Sequence, residues 1–227
     1  MQHPGNRGRA ILWLLGVCAA VAAAAGYFVW PYWRADREAQ VTDLIRLMQL
    51  RPGMAVAEVG AGDGEMTIAM AERLGADGRM LSTEIDSGKL AAIREAGANA
   101  GLENLTVIEA GKSETNLPPE CCDAVFMRRV YHHFTDPPAI NESLYGALRP
   151  GGRIAIIDFP PRLWFWQRPQ GAPETRRGHG VPQELVIKEL TAAGFDLEHR
   201  LEDWPGRDYC LVFRKPTEPR ASASGGR

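Results

Sequence analysis

The chain has 227 residues, of which 45% are hydrophobic, and its net charge at pH 7 is -2. That composition suits one globular domain with a full core, and the charge gives none of the basic surface that nucleic-acid binding usually needs. The four cysteines (Cys18, Cys121, Cys122 and Cys210) show no C-x-x-C spacing and are too few for a disulfide framework. We therefore expect reduced, mostly buried thiols.

The N-terminal region departs from a plain soluble domain. Residues 10–30 contain no charged side chain and follow a basic N-terminus, 1–9, that carries Arg7 and Arg9. At a rise of about 1.5 Å per residue, a helix of this length just spans the roughly 30 Å of a bilayer core. We expect a single-pass membrane anchor, and the flanking arginines lean slightly toward a cytoplasmic C-terminal domain. A signal peptide cleaved after Ala25 is the alternative, and would leave a secreted or periplasmic protein.

The rest of the chain alternates between predicted strands and helices. After a helix at 34–49, strands are predicted at 54–59, 79–85, 105–109, 123–127 and 153–159, and helices at 64–74, 87–100, 137–148 and 182–195; segments 196–201 and 207–215 form a closing hairpin. This alternation predicts an α/β fold: a doubly wound, Rossmann-like sheet, mostly parallel, with a C-terminal antiparallel hairpin strand. We place the domain at 34–215 and expect the polar tail, 216–227, to be disordered.

A glycine-rich loop follows the first predicted strand. "EVGAGDGE", residues 58–65, places glycines at 60, 62 and 64, whereas the dinucleotide fingerprint G-x-G-x-x-G would need a glycine at Glu65. The loop opens a predicted helix, and the acidic Glu84 ends the next strand. In doubly wound sheets, ligands bind beyond the carboxyl ends of the strands. The pattern predicts a small-molecule site and disfavours a nicotinamide-dependent oxidoreductase.

Five motifs carry a resemblance to a known family. They are "VAEVGAGDGEMT", "STEID", "VYHHF", "LRPGGRIAIIDF" and "GHGVPQELVIKELTAAGF". With them, residues 50–215 resemble a class I S-adenosylmethionine-dependent methyltransferase of the branch that acts mostly on small molecules. The resemblance implies S-adenosyl-L-methionine as the cofactor, and it specifies no acceptor.

The resemblance also implies a set of cofactor-binding residues. The loop would hold the methionine part, Glu58 would face its ammonium group, Glu84 would accept the ribose hydroxyls, and Ile85 would pack on the adenine. The full predicted set is Glu58, Gly60, Ala61, Gly62, Gly64, Glu84, Ile85, Gly111 and Arg128.

Gly111 marks a departure from the family pattern. Many relatives carry an aspartate just after the third strand, which accepts from the adenine amino group, and the matching position here is Gly111. Ser113, Glu114 or a backbone carbonyl would have to substitute. This departure keeps a second hypothesis open, in which the domain is a catalytically inactive binding or scaffold module at the membrane.

The candidate catalytic residues come from three of the motifs. Methyl transfer depends on positioning, and a general base is needed only if the acceptor must lose a proton. The absence of an Asn-Pro-Pro-Tyr signature argues mildly against methylation of adenine or glutamine. The stretch "MRRVYHHFTDPP", at and after the end of the fourth strand, adds Arg128, Arg129 and Tyr131 as nearby candidates. The predicted catalytic set is His132, His133, Asp158 and His179.

No metal site is predicted, because Cys121 and Cys122 precede the fourth strand and so lie at the end of the sheet opposite the histidines.

Segment 160–180 lies between the fifth strand and its following helix, and its mixture of aromatic and basic residues suits a lid over the cleft. Joined to an anchor at 10–30, it favours a small, lipophilic acceptor. We expect this acceptor and the membrane as partners, and neither nucleic acid nor a protein partner.

Overall fold

The computed structural model describes residues 36–161, 169–174 and 179–218. The contacts divide the chain into two compact units, residues 1–40 and residues 41–227. The predicted domain boundary at residue 34 remains a prediction.

Several predictions fall outside the described residues. They concern the basic segment 1–9, the anchor 10–30, most of the tail, and the aromatic and basic side chains of the 160–180 insert. Within the described ranges, no helix is both long and apolar enough to cross a bilayer.

Seven strands form one sheet. They are β1 (Ala55–Val59), β2 (Arg79–Glu84), β3 (Leu105–Glu109), β4 (Cys122–Arg128), β5 (Leu148–Asp158), β6 (Asp196–Trp204) and β7 (Asp208–Arg214). Their order is β3-β2-β1-β4-β5-β7-β6. The first five run parallel, while β7 is antiparallel to both β5 and β6. The predicted fold class is confirmed, including the antiparallel hairpin at the C-terminal end.

Helices cover both faces of this sheet. They are α1 (residues 36–47), α2 (Glu65–Leu74), α3 (Ser87–Asn99), α4 (Pro137–Ala147) and α5 (Gln183–Ala192), and a short 3-10 turn spans Tyr131–His133. Residues 41–47 of α1 and the buried face of α2 join one apolar cluster with alternate sheet positions such as Val56 and Phe126. Helices α4 and α5 join a second cluster with the intervening positions, such as Ala57 and Val125.

The local sequence accounts for these elements. Strand β1 is buried at all five positions, as expected for a parallel strand covered on both faces. Asp86 begins α3 by accepting a hydrogen bond from the Lys89 amide at 2.9 Å, and Asp136 caps α4 in the same way ahead of Pro137. The predicted helices and strands end within a few residues of the observed ones.

Strand β5 differs most from its prediction, because it begins at Leu148 rather than 153. Leu148 pairs with Cys122, and the register then shifts so that Arg153 pairs with Ala124. Gly151 donates to the Lys215 carbonyl at 2.9 Å, and the Lys215 amide donates back to Gly152 at 2.8 Å. Residues 149–152, which lie between a predicted helix and a predicted strand, therefore join the ladder, where Gly151 and Gly152 pair with Lys215.

The strand order reverses between β1 and β4. The chain crosses to one side of this junction for β2 and β3, and to the other for β5. Because parallel strands share one carboxyl edge, the segments that follow β1, β2, β4 and β5 meet at that edge. All of the predicted site residues except His179 lie in or directly after these strands or β3.

Candidate functional site

The loop from Gly60 to Gly64 is tied to the neighbouring strand. The amides of Gly60 and Ala61 both donate to the Thr83 carbonyl, at 2.8 and 3.0 Å. Gly60 has a φ of 69°, and a Cβ there would lie 2.5 Å from Val130 Cγ2. Gly62 has a φ of 57°, but no atom would lie within 4 Å of its Cβ. Gly60 is therefore required for packing against the segment after β4, while Gly62 faces open space, where a ligand could approach the backbone.

Glu84 connects the loop to β2. One oxygen of its buried carboxylate accepts from the Gly62 amide at 2.9 Å. The other oxygen accepts from the amides of Ile85 at 2.8 Å and Asp86 at 3.2 Å. Ile85 itself is 64% exposed, the most exposed large hydrophobic residue in the described chain. A carboxylate held in place beside an exposed apolar side chain suits a ligand that carries vicinal hydroxyls and a flat ring.

Glu58 lies beneath the loop, and its carboxylate makes a polar contact within the core. Its Oε2 accepts from Thr67 Oγ1 at 2.5 Å, and Thr67 Oγ1 lies 3.0 Å from Ser82 Oγ. Burial raises the pKa of the Glu58 carboxyl to about 7, although the Thr67 hydrogen bond and the charge of Arg128 lower it. The group can therefore gain or lose a proton near neutral pH, and a cation placed beside it would favour the ionised form.

Two further members of the predicted cofactor set lie at the same edge. Arg128 ends β4, and it is close enough to Glu58 to influence the pKa of that carboxyl. Gly111 follows β3, and its amide donates to the Glu114 carbonyl at 2.9 Å. A Cβ at Gly111 would lie 2.9 Å from Glu114 Cγ and 3.4 Å from Glu114 Oε1. The Glu114 side chain thus occupies the space into which an acidic side chain at 111 would point.

Asp158 and His132 form a buried pair on the opposite side of the strand-order reversal. His132 Nδ1 lies 2.8 Å from Asp158 Oδ1, and the carboxylate also accepts from the backbone amides of His132 at 3.1 Å and Phe159 at 2.9 Å. The side chain of His132 is 1% exposed and that of Asp158 is fully buried. Since a carboxylate accepts, we assign the ring proton to Nδ1, which leaves a lone pair on Nε2.

Two more imidazole rings surround His132. Its ring centroid lies 4.1 Å from that of His133 and 4.7 Å from that of His179, and Phe159 closes the group at 4.8 Å. Partial burial lowers the pKa of His133 to about 4, and the charges of His132 and His179 add to this effect. Because of this lowered pKa, His133 is neutral at physiological pH. Its side chain is in part exposed to solvent.

The structure places Arg129 and Tyr131 in structural roles. Tyr131 is fully buried; its hydroxyl donates to Glu189 at 2.8 Å and accepts from Asn141 at 2.9 Å. Arg129, with a φ of 55°, donates to Asp208 at 2.8 Å across the sheet edge. Of the candidates in the stretch "MRRVYHHFTDPP", Arg128 and the two histidines remain with the site.

Sequence analysis missed some partners of the predicted residues. Thr67 donates to Glu58, and Ser82 contacts Thr67, yet neither residue was predicted. Thr67 lies in the motif "VAEVGAGDGEMT", but its contact with Glu58 depends on how α2 packs on the sheet. The prediction of no metal site considered only whether cysteines and histidines could bind an ion together. The structure instead brings His132, His133 and His179 together, a juxtaposition that spacing could not show. The three described cysteines are free and buried, as predicted.

Residues 57–156 match a family model described as a methyltransferase domain. The demethylmenaquinone methyltransferase of Listeria monocytogenes serotype 4a (strain HCC23) is 28% identical over 127 residues, which are 56% of this chain and 54% of that protein. The chain spans about half the length of the curated relatives that it matches.

Solved structures share the fold. A SAM-dependent methyltransferase from Aquifex aeolicus superposes with a TM-score of 0.63 at 20% identity, covering 77% of this chain and 87% of that chain. The cyclase SpnF superposes with a TM-score of 0.66 at 14% identity, covering 80% of this chain and 82% of that chain. At these identities the likeness concerns the fold alone, and the second protein is named for a reaction other than methyl transfer.

Proposed function

We propose that this chain, which contains a class I S-adenosylmethionine-dependent methyltransferase domain, transfers a methyl group to a small, lipophilic acceptor. The observation that carries this proposal is the Glu84 carboxylate, fixed at the carboxyl end of β2 and bonded to the Gly62 amide of the glycine loop at 2.9 Å. This acid and this loop meet beside the reversal of strand order, where such sheets bind ligands.

The residues at this edge fit S-adenosylmethionine. When bound, the cofactor supplies an electrophilic methyl group on a sulfonium. Glu84 would accept hydrogen bonds from the ribose hydroxyls, and the exposed Ile85 would cover the adenine. Gly62 leaves the backbone open to the methionine part, with Glu58 and Arg128 below it. Glu114 would take the place of the family's adenine-binding acid, since its side chain lies over Gly111.

The histidines would bind the acceptor on the other side of the cleft. Val130, which packs on Gly60, directly precedes the turn that carries His132 and His133, so the histidines adjoin the loop. Asp158 orients His132 and leaves its Nε2 lone pair available. A neutral imidazole in that position could accept a proton from an acceptor hydroxyl.

The acceptor class is supported by the curated relative and by the amino-acid composition. A demethylmenaquinone methyltransferase matches about half of the chain, which favours a quinol-like aromatic acceptor. The charge-free segment 10–30 and the aromatic insert suit a substrate delivered by a membrane. We place the catalytic domain on the cytoplasmic side, because S-adenosylmethionine is made in the cytosol.

The acceptor proposal is tested with the full-length protein in detergent and S-adenosylmethionine carrying a labelled methyl group. We expect label to enter an isoprenyl-substituted naphthoquinol or phenol, and to enter a water-soluble amine far less. The His132→Ala variant should lose transfer while keeping cofactor affinity. Transfer to the amine alone would overturn the acceptor class.

A second candidate function, a non-catalytic binding module, is favoured by the glycine at position 111. Turnover distinguishes the methyltransferase from the non-catalytic module. Cofactor binding without label transfer to any acceptor of the panel would favour the module.

A further inference from the structure

The three imidazoles at the acceptor side have the composition of a metal site. One ring nitrogen from each of His132, His133 and His179 lies within 4.8 Å of the other two. They come from two separate segments, the turn after β4 and the chain that re-enters before α5. Three ring nitrogens around a tetrahedral zinc ion, with bonds of about 2.0–2.1 Å, would be roughly 3.3 Å apart. The cluster therefore needs only a modest contraction to bind one ion.

His132 is already held as a metal ligand would be. Asp158 occupies its Nδ1 at 2.8 Å, and Nε2 is buried with no hydrogen-bond partner among the residues that the structure describes. Buried polar atoms in proteins normally have a partner, so an interaction at Nε2 is expected. Carboxylate–histidine pairs of this kind fix the tautomer and the ring orientation of metal-binding histidines.

The other two rings are less confined. His133 is exposed and His179 is half-buried, whereas the side chain of His132 is 1% exposed. His132 is also clamped through both its backbone amide and its ring. One fixed and two less confined ligands make a site that can close around an ion.

We propose that His132, His133 and His179 bind one divalent transition-metal ion, with Asp158 positioning His132. Imidazole ligands suit zinc, copper, nickel and iron, and three protein ligands leave a fourth position open. Water would fill that position; resting on the proposed function, an acceptor hydroxyl could replace it and lose its proton more readily. An ion on Nε2 would exclude His132 as a direct proton acceptor, so the two roles are alternatives.

The test uses the full-length protein without an affinity tag, freed of metal with a chelator. Calorimetric titration with zinc chloride should show one saturable site per chain. The bound fraction is checked by elemental analysis after dialysis, and Co²⁺ should give the visible absorption of a nitrogen-ligated tetrahedral site. No S-adenosylmethionine and no acceptor are present, so the result is independent of methyl transfer.

Matched variants decide which residues bind. His133→Ala and His179→Ala should each weaken zinc binding more than tenfold, and Asp158→Asn should weaken it by about 10- to 100-fold through His132. His199→Ala, which changes an exposed histidine on β6, should leave binding unchanged. Thermal unfolding of each metal-free variant checks that it is folded. Absence of a saturable site in the wild type, or unchanged binding in both His133→Ala and His179→Ala, would overturn the proposal.

Discussion

At the scale of single residues, the Glu58 carboxyl carries the clearest electrostatic consequence. Its pKa is raised by burial from an ordinary 4.5 to about 7. An acid whose pKa rises on folding is protonated more readily in the folded state. Its contribution to stability is therefore fully present below about pH 4.5 and is lost as the pH rises to about 7. This pKa difference corresponds to about 3 kcal/mol of unfolding free energy.

Glu58→Gln should remove this dependence. The unfolding free energy of the variant should fall less than that of the wild type between about pH 5 and about pH 8, because a neutral amide has no proton to lose. Urea unfolding at both pH values measures this change in unfolding free energy. Glu72→Gln, which changes an exposed acid on α2, is the matched control. Parallel profiles for wild type and Glu58→Gln would show that the carboxyl does not titrate in this range.

Residue identity could be predicted here, whereas residue environment could not. The sequence places Glu58 at the end of a strand, next to the loop, but the hydroxyl of Thr67 that holds it comes from α2. In the same way, Asp158 and His132 were predicted separately as candidates. Their 2.8 Å contact depends on β4 and β5 pairing in one particular register.

At the scale of elements, the β1–α2 loop contains glycines with different requirements. Both Gly60 and Gly62 have a positive φ. A Cβ at Gly60 would clash with Val130, whereas a Cβ at Gly62 would meet open space. Strain at a positive φ costs about 1–2 kcal/mol for alanine, and overpacking adds about 1–3 kcal/mol.

Gly60→Ala should therefore destabilise the protein by about 2–5 kcal/mol, and Gly62→Ala by about 1–2 kcal/mol. Denaturant unfolding of both variants provides the comparison. Val130→Ala in the Gly60→Ala background should recover the overpacking part and leave the φ strain. Equal destabilisation by the two glycine variants would contradict the packing role of Val130.

Periodicity predicted most elements because parallel strands that are covered on both faces are almost continuously apolar. Its largest error, the start of β5, arose because Lys215 pairs with the Gly151–Gly152 segment from a distant part of the chain. The 3-10 turn at Tyr131–His133 was also missed. Its backbone is set by tertiary contacts, including the bond from the His132 amide to Asp158.

At the scale of the whole molecule, the strand order assembles the site. The β1–β4 reversal gathers Gly62, Glu84 and His132 at one carboxyl edge, although they are spread over 70 residues of sequence. The motifs predicted that these segments would meet, because a glycine loop followed by a strand-end acid is typical of the fold. The grouping of three imidazoles could not be predicted, since nothing in the sequence relates His179, which lies 46 residues after His133, to the turn after β4.

We propose that this edge binds S-adenosylmethionine through Glu84, and calorimetric titration of the full-length protein tests this binding most directly. We expect micromolar affinity in the wild type. Glu84→Ala should weaken it at least about tenfold, because each charge-assisted hydrogen bond contributes about 1.5–3 kcal/mol. Since Glu84 also accepts from the amides of Gly62, Ile85 and Asp86, thermal unfolding must show that the variant is folded, with Glu84→Gln as the milder change.

Glu72→Ala is the control, and its affinity should equal that of the wild type. Binding lost in Glu84→Ala and kept in Glu72→Ala is the predicted result. No binding by the wild type at millimolar cofactor, or equal affinity in wild type and a folded Glu84→Ala, would contradict the account.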